Sequence, residues 1–244
     1  RSIDLSRHGL RWIQPDLPLA HPFEDGSALF LDRSLENTGT VLGADGGAYR
    51  ELVAPFVDGQ EDLLADILAP PRFPRHPRLT GRFALKAWRS CRHLAEKTFQ
   101  DAKTRALFAG LSAHAMVPLD SPATAAFGIV LAVLAHAVGW PFVEGGSQRL
   151  ADALASRFQE RGGKIVTGRP VAGLDDLPAA QAYFFDVTPR QLLNMAGTSF
   201  PAAYRRRLGH FRYGPGVCKA DWALREPIPW KAEACRRAGT VHLG

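Results

Sequence analysis

The chain of 244 residues is 46% hydrophobic and 22% charged, a balance that excludes a disordered tail, a collagen-like repeat and a disulfide scaffold. Three cysteines, Cys91, Cys218 and Cys235, lie far apart with no CxxC spacing, which fits reduced thiols in a cytoplasmic protein. The net charge of +6 arises from 24 Arg and 6 Lys against 24 acidic residues, scattered except at Arg205-Arg206-Arg207, so no stripe tracks a phosphate backbone and no nucleic-acid partner is expected.

Residues 1–46 are broken by Pro15, Pro18, Pro22 and Asp25-Gly26 and read as irregular structure with a hairpin, Ala28–Leu31 being one strand. Apolar residues at helical spacing predict helices over 48–68, 79–97 and 101–115, with a proline loop at Pro70–Pro77. From Ser121 to Val143 there is no charged residue, and the stretch between Ser121-Pro122 and Gly139 is about 27 Å long as a helix, close to hydrocarbon thickness. Six alanines, Gly128, His136 and the lack of flanking aromatic and basic belts favour a buried core helix over a membrane span. On it, His136 reads as a hydrogen-bonded core histidine, because no second metal-ligating residue lies three or four positions away.

Beyond Gly145-Gly146-Ser147 the spacing of Leu150, Leu154 and Phe158 predicts a helix that stops at Gly162-Gly163. Two strands, 164–167 and 183–187, follow it, then helices opened by Pro189 and Pro201, an alternating strand or hairpin at 211–224 and a last strand from Thr240. The fold class is therefore α/β, a helical layer plus a partial sheet.

No GxGxxG, GxxxxGK, HExxH, GxSxG or SxxK motif is present, and eight dispersed histidines form no local metal-ligand pattern, so no metal is expected. The block Gly139-Trp140-Pro141 to Gly145-Gly146-Ser147, the helix after it, and Gly162-Gly163-Lys164-Ile165-Val166-Thr167 with Pro170-Val171 resemble a segment of FAD-dependent oxidoreductases related to phytoene desaturase, in the flavin amine oxidase-like superfamily. Asp186–Leu193, Tyr213–Gly216, Lys219–Leu224 and Pro227–Trp230 are similar to the same family, and the resemblance is looser before residue 100.

The resemblance implies a helical substrate-binding region at 1–140, part of an FAD-binding region at 141–197 and a return to the substrate-domain sheet at 198–244. It implies FAD as cofactor, faced by Gly145, Gly146, Ser147, Val171 and Asp186, and hydride transfer from a C–H bond of an apolar small molecule. On the residues alone, the glycine pair is equally a plain helix entry or a loop whose free N–H groups meet a cofactor's polar edge. Val171 is otherwise a strand-end core valine, and Thr188 is as good a cap for the helix at Pro189 as Asp186 is a cofactor neighbour. Trp140, Phe142, Phe127 and His136 are the expected substrate lining, with core packing as the plainer reading; no residue is assigned as catalytic.

The GxGxxG loop and the C-terminal flavin segment of that family are missing from these residues. The opening Arg1 and the close inside a strand suggest a piece of something longer, inactive by itself and unable to hold FAD at normal affinity. The competing expectation is a non-catalytic module that binds an apolar ligand or a membrane surface. Peripheral contact with a bilayer is compatible with the charge.

Overall fold

The structure, a computed structural model, describes residues 3–243. In chain order the elements are β1 (Trp12–Ile13), β2 (Leu17–Pro22), β3 (Ala28–Leu31), α1 (Leu35–Val41), α2 (Gly46–Val57), α3 (Gln60–Ile67), α4 (Pro77–Ala87), α5 (Cys91–Thr98), α6 (Ala102–Ser112), α7 (Thr124–Ala137), β4 (Phe142–Val143), α8 (Gln148–Glu160), α9 (Pro189–Ala196), α10 (Ala202–Gly209), α11 (Glu233–Arg237) and β5 (Ala238–Val241). The class is mixed α/β, a helical layer with small sheets. Two compact units share the chain: unit 1 runs up to Leu154 and resumes at Trp222, and unit 2 is Ala155–Asp221. These divisions fall at 154/155 and 221/222, where the resemblance implies 140/141 and 197/198.

In unit 1, β2 and β3 form the hairpin expected after Asp25-Gly26, with Leu19 opposite Leu31 and Pro22 opposite Ala28. The last strand, β5, joins β2 in parallel, Leu19 opposite Thr240 and Ala20 opposite Val241, so β2 is central and its residues Leu17–His21 are buried. The ladder with β3 runs over Leu19–Pro22, and Pro22, whose ring nitrogen has no proton to give, stands at its end opposite Ala28. A second sheet is the short antiparallel pair β1–β4.

The helical layer is built around α7, which packs on α2, α4, α5 and α6. Its small residues permit the close approach: a Cβ at Gly128 would stand 2.3 Å from the Ser112 hydroxyl and 2.8 Å from the Phe108 ring. Around it Tyr49, Leu52, Phe56, Phe83, Leu107, Phe108, Leu111 and Ile129 close one apolar core, each large side chain contributing about 1.5–3 kcal/mol by leaving water. Asp45 is buried where α1 meets α2, and its carboxylate accepts from the N–H groups of Gln100 (2.8 Å) and Asp101 (2.9 Å) at the entry to α6.

The structure corrects several expectations. The 48–68 helix is two, α2 and α3, parted at Asp58-Gly59, and the 79–97 helix is also two, because the Ser90 hydroxyl caps the first turn of α5 by accepting from His93 N–H at 3.2 Å. A short helix, α1, fills part of 1–46, capped by Ser34. The charge-free stretch yields only 14 helical residues in α7, about 21 Å, which starts at Thr124 rather than at Ser121-Pro122. Ala123 before it adopts φ +65°, and the N–H groups of Ala123 and Ala125 donate to Trp88 O (3.1 Å) and Arg89 O (3.3 Å), so the corner between α4 and α5 caps α7. Among the described residues no helix is long and apolar enough to cross a membrane.

In unit 2 the helices α9 and α10 stand where Pro189 and Pro201 predict them, but 164–167 and 183–187 are not strands, and neither is 211–224 of the chain beyond. A strand is a paired object, and among the described residues these segments pair with no neighbouring edge. Val166 and Phe184 are left exposed, Phe184 at 96%.

Candidate functional site

Within unit 2, the loop 169–177 is shaped by Asp176, whose carboxylate accepts from the N–H groups of Ala172 (2.8 Å) and Gly173 (3.1 Å); these two bonds hold its carboxyl below the usual carboxylate range. Tyr183 donates its hydroxyl proton to Pro178 O at 2.9 Å and draws the 183–187 segment alongside that loop. Between them opens a cleft of about 510 Å³ walled by Val171, Leu177, Tyr183, Phe185, Asp186 and Met195. Val171 also borders a second, more polar hollow of about 720 Å³ with Lys164, Arg169 and Asp176. Thus Val171 and Asp186, both marked for a cofactor by the family resemblance, share one wall system. Asp186 does not cap α9: that is done by Thr188 in a capping box, Thr188 N–H donating to Gln191 Oε1 at 3.0 Å and Gln191 N–H to Thr188 Oγ1 at 3.4 Å.

Gly145, Gly146 and Ser147 belong to unit 1. Gly145 and Gly146 have φ of +78° and +92°, a left-handed turn between β4 and α8 that a residue with a Cβ resists. Gly146 N–H donates to Val143 O and Gly146 O accepts from Arg149 N–H, both at 3.1 Å. The expectation that this pair offers free N–H groups is therefore corrected at Gly146, whose donor is spent inside the turn. Outside Gly146 there is open space where a Cβ would stand, so backbone approach from that side is unobstructed.

An apolar cavity of unit 1, about 820 Å³, lies between α4 and the start of α7. Phe83, Ala87, Trp88, Ala123 and Ala126 wall it with Ile67, and Thr80 and Arg89 are its polar lining residues. None of Trp140, Phe142, Phe127 and His136 is among its walls. Phe127 and Phe142 are each 46% exposed, on α7 and β4, while Trp140 is half-buried against the core with its indole nitrogen buried and unpartnered. The sequence predicts a helix over this segment, within 79–97, and the helices at 48–115 are expected among the substrate lining; an amphipathic stripe does not mark which of its residues wall a cavity.

His136 is the core histidine that the sequence suggests. Its Nδ1 donates to Arg33 O at 3.3 Å, which leaves Nε2 as the acceptor for the Tyr49 hydroxyl at 2.8 Å. Burial pushes the Tyr49 pKa up and the His136 pKa down, so both stay neutral.

A further group was invisible in the sequence. His21, His114 and His242 come from β2, the turn after α6 and the residue after β5, and His114 Nε2 stands 3.2 Å from His242 Nε2. Burial, with the neighbouring His114 and His21, pushes the His242 pKa down to about 4. Separations above 90 residues gave no local spacing to read. Among the described residues no group of three or more His, Cys, Asp or Glu could hold a metal ion. Set beside known proteins, the chain matches no family model, and no curated protein matches it.

Proposed function

We propose that the chain is the substrate-binding part, with an edge of the cofactor-binding part, of an FAD-dependent oxidoreductase of the phytoene-desaturase type that acts on an apolar small molecule. The observation that carries this reading is the cleft that Val171 and Asp186 share, two residues the family resemblance marks independently for the cofactor. Its walls, Leu177, Tyr183, Phe185 and Met195, are suited to a flat heteroaromatic ring such as adenine, and Asp186 at its edge accepts hydrogen bonds from an amine or hydroxyl. The pyrophosphate does not fit equally well: the sequence has no GxGxxG loop, and the Gly146 N–H is occupied. FAD is thus accommodated at its adenine end only, and no redox step is derived through these residues.

When bound, a flavin supplies the hydride acceptor. The part played by this chain is to take the substrate out of water, and the cavity between α4 and α7, with two polar lining residues among eleven, suits an aliphatic or polyene chain. No acid or base role is assigned.

Equilibrium dialysis with FAD, ADP and riboflavin tests this reading. The purified chain is expected to be colourless, to bind FAD weakly with ADP as a competitor and riboflavin as none, and to lose that binding in Asp186→Ala. A second reading, non-catalytic binding of the same apolar ligand, is favoured by the cavity lying wholly within unit 1. It prevails if an apolar fluorophore binds while FAD and ADP do not.

A further inference from the structure

Between Ile67 and Ala95 the sequence has seven Arg or Lys residues and no Asp or Glu. The acid before this run, Asp66, is turned inward, its side chain only 1% exposed: it accepts from the N–H groups of Arg75 and His76, both at 2.8 Å, and from the Thr80 hydroxyl at 3.0 Å. That carboxylate ties the proline loop 69–76 to the first turn of α4. Asp62 faces His76 at 3.6 Å and Asp120 faces Arg92 at 2.9 Å, which leaves Arg78, Arg82, Lys86 and Arg89 outside any salt bridge among the described residues.

The same segment exposes large apolar side chains. Leu85 and Trp88 are each 76% exposed, and Leu68 and Phe73 in the preceding loop are 77% and 83% exposed. Arg78, Arg82, Leu85 and Arg89 follow one another at spacings of four, three and four, so they share a helical face that continues into the corner after α4, with Trp88 three residues from Leu85. Phe83 and Ala87 on the other side are buried in the core. An outward face that combines Trp, Leu and Phe with unneutralised guanidinium groups has the composition of a helix lying in a bilayer interface. The apolar tips enter the headgroup boundary while the long basic stems reach the phosphates.

We propose that α4, with the loop before it and the corner after it, docks on an anionic membrane surface. Charge complementarity selects this occupant: a second copy of the chain would set the same unpaired cations against one another, whereas acidic lipid headgroups neutralise them. The docked face also holds the entrance to the apolar cavity, because Leu85, Trp88 and Arg89 line that cavity while standing at the surface. A ligand dissolved in the bilayer then reaches the cavity without crossing water. The docking does not depend on the flavoenzyme reading, since it involves no residue of unit 2 and no cofactor.

Co-sedimentation of the 244-residue chain with phosphatidylcholine vesicles, with and without about a third phosphatidylserine, tests the proposal. Binding is expected only with the anionic vesicles and is expected to weaken roughly tenfold or more in high salt. The triple variant Arg78→Glu, Arg82→Glu, Arg89→Glu is expected to lose roughly a hundredfold in partitioning. The double variant Leu85→Ser, Trp88→Ser is expected to lose roughly tenfold or more. All five side chains point outward, and unchanged circular dichroism verifies that both variants fold. Equal binding to neutral vesicles, no binding to either kind, or variants that bind as the parent does would overturn it. So would a dimer in solution that the Leu85→Ser, Trp88→Ser variant dissolves, which assigns the face to a second copy.

Discussion

Phe56 and Phe184 are the same side chain under opposite conditions. Phe56 in unit 1 is fully buried beneath Phe83, ring centroids 5.8 Å apart at 88°, whereas Phe184 in unit 2 is 96% exposed. Both sit in stretches whose apolar periodicity is clear in the sequence, one helical and one alternating. A helix satisfies its backbone within itself and needs only one apolar face covered, so α2 forms wherever α7 is present to cover it. An alternating segment needs hydrogen-bonding neighbours on its edges as well, and 183–187 finds none among the described residues.

The contrast can be broken most strongly by truncating the two rings. Phe56→Ala is expected to cost about 3–5 kcal/mol, measured by urea denaturation, because it leaves a cavity under Phe83. Phe184→Ala is expected to change stability by less than about 0.5 kcal/mol. Comparable losses at both sites would show that the alternating segment is covered in solution.

Acid provides a second test, directed at unit 1 alone. His242 has a folded pKa of about 4 against an ordinary value of 6.5, so below pH 6.5 the unfolded chain binds a proton that the folded chain refuses. Stability is expected to be fully present above pH 6.5 and to fall as pH is lowered towards 4. His136, shifted in the same direction by burial, adds to the loss. His242→Gln should flatten part of this slope, followed by thermal denaturation at several pH values.

The smallest expected effect is local to unit 2. Thr188→Ala removes the side-chain half of the capping box on α9 and should cost about 1 kcal/mol, read as lost helicity or faster amide exchange in Pro189–Ala196. An effect of this size confined to α9 would sharpen the comparison, since unit 2 would then owe its order to local capping more than to a shared core.

Helix starts and stops were legible where a residue acts on its own neighbours: Pro189, Pro201, Gly162-Gly163, and the Thr188 cap. The Asp25-Gly26 hairpin was legible for the same reason. What failed was decided by partners distant in sequence. The true start of α7 depends on carbonyls of Trp88 and Arg89, more than thirty residues earlier, and β2 becomes a central strand only because β5 arrives from the far end of the chain. The candidate site divides in the same way. Val171 and Asp186 are close enough in sequence for one loop and one segment to bring together, whereas the apolar cavity and the three-histidine group join elements that no spacing rule links.

The buried carboxylate of Asp45 adds a consequence for how the molecule opens. Its two acceptor bonds span 55 and 56 residues, and closing so long a loop is entropically unfavourable until the helices at both ends are in place. The amide protons of Gln100 and Asp101 head a helix, where fraying would ordinarily let them exchange early. Here their release requires α1 and α2 to separate from α6, so deuterium uptake at these two positions serves as a clock for opening of the whole helical layer rather than of the end of one helix.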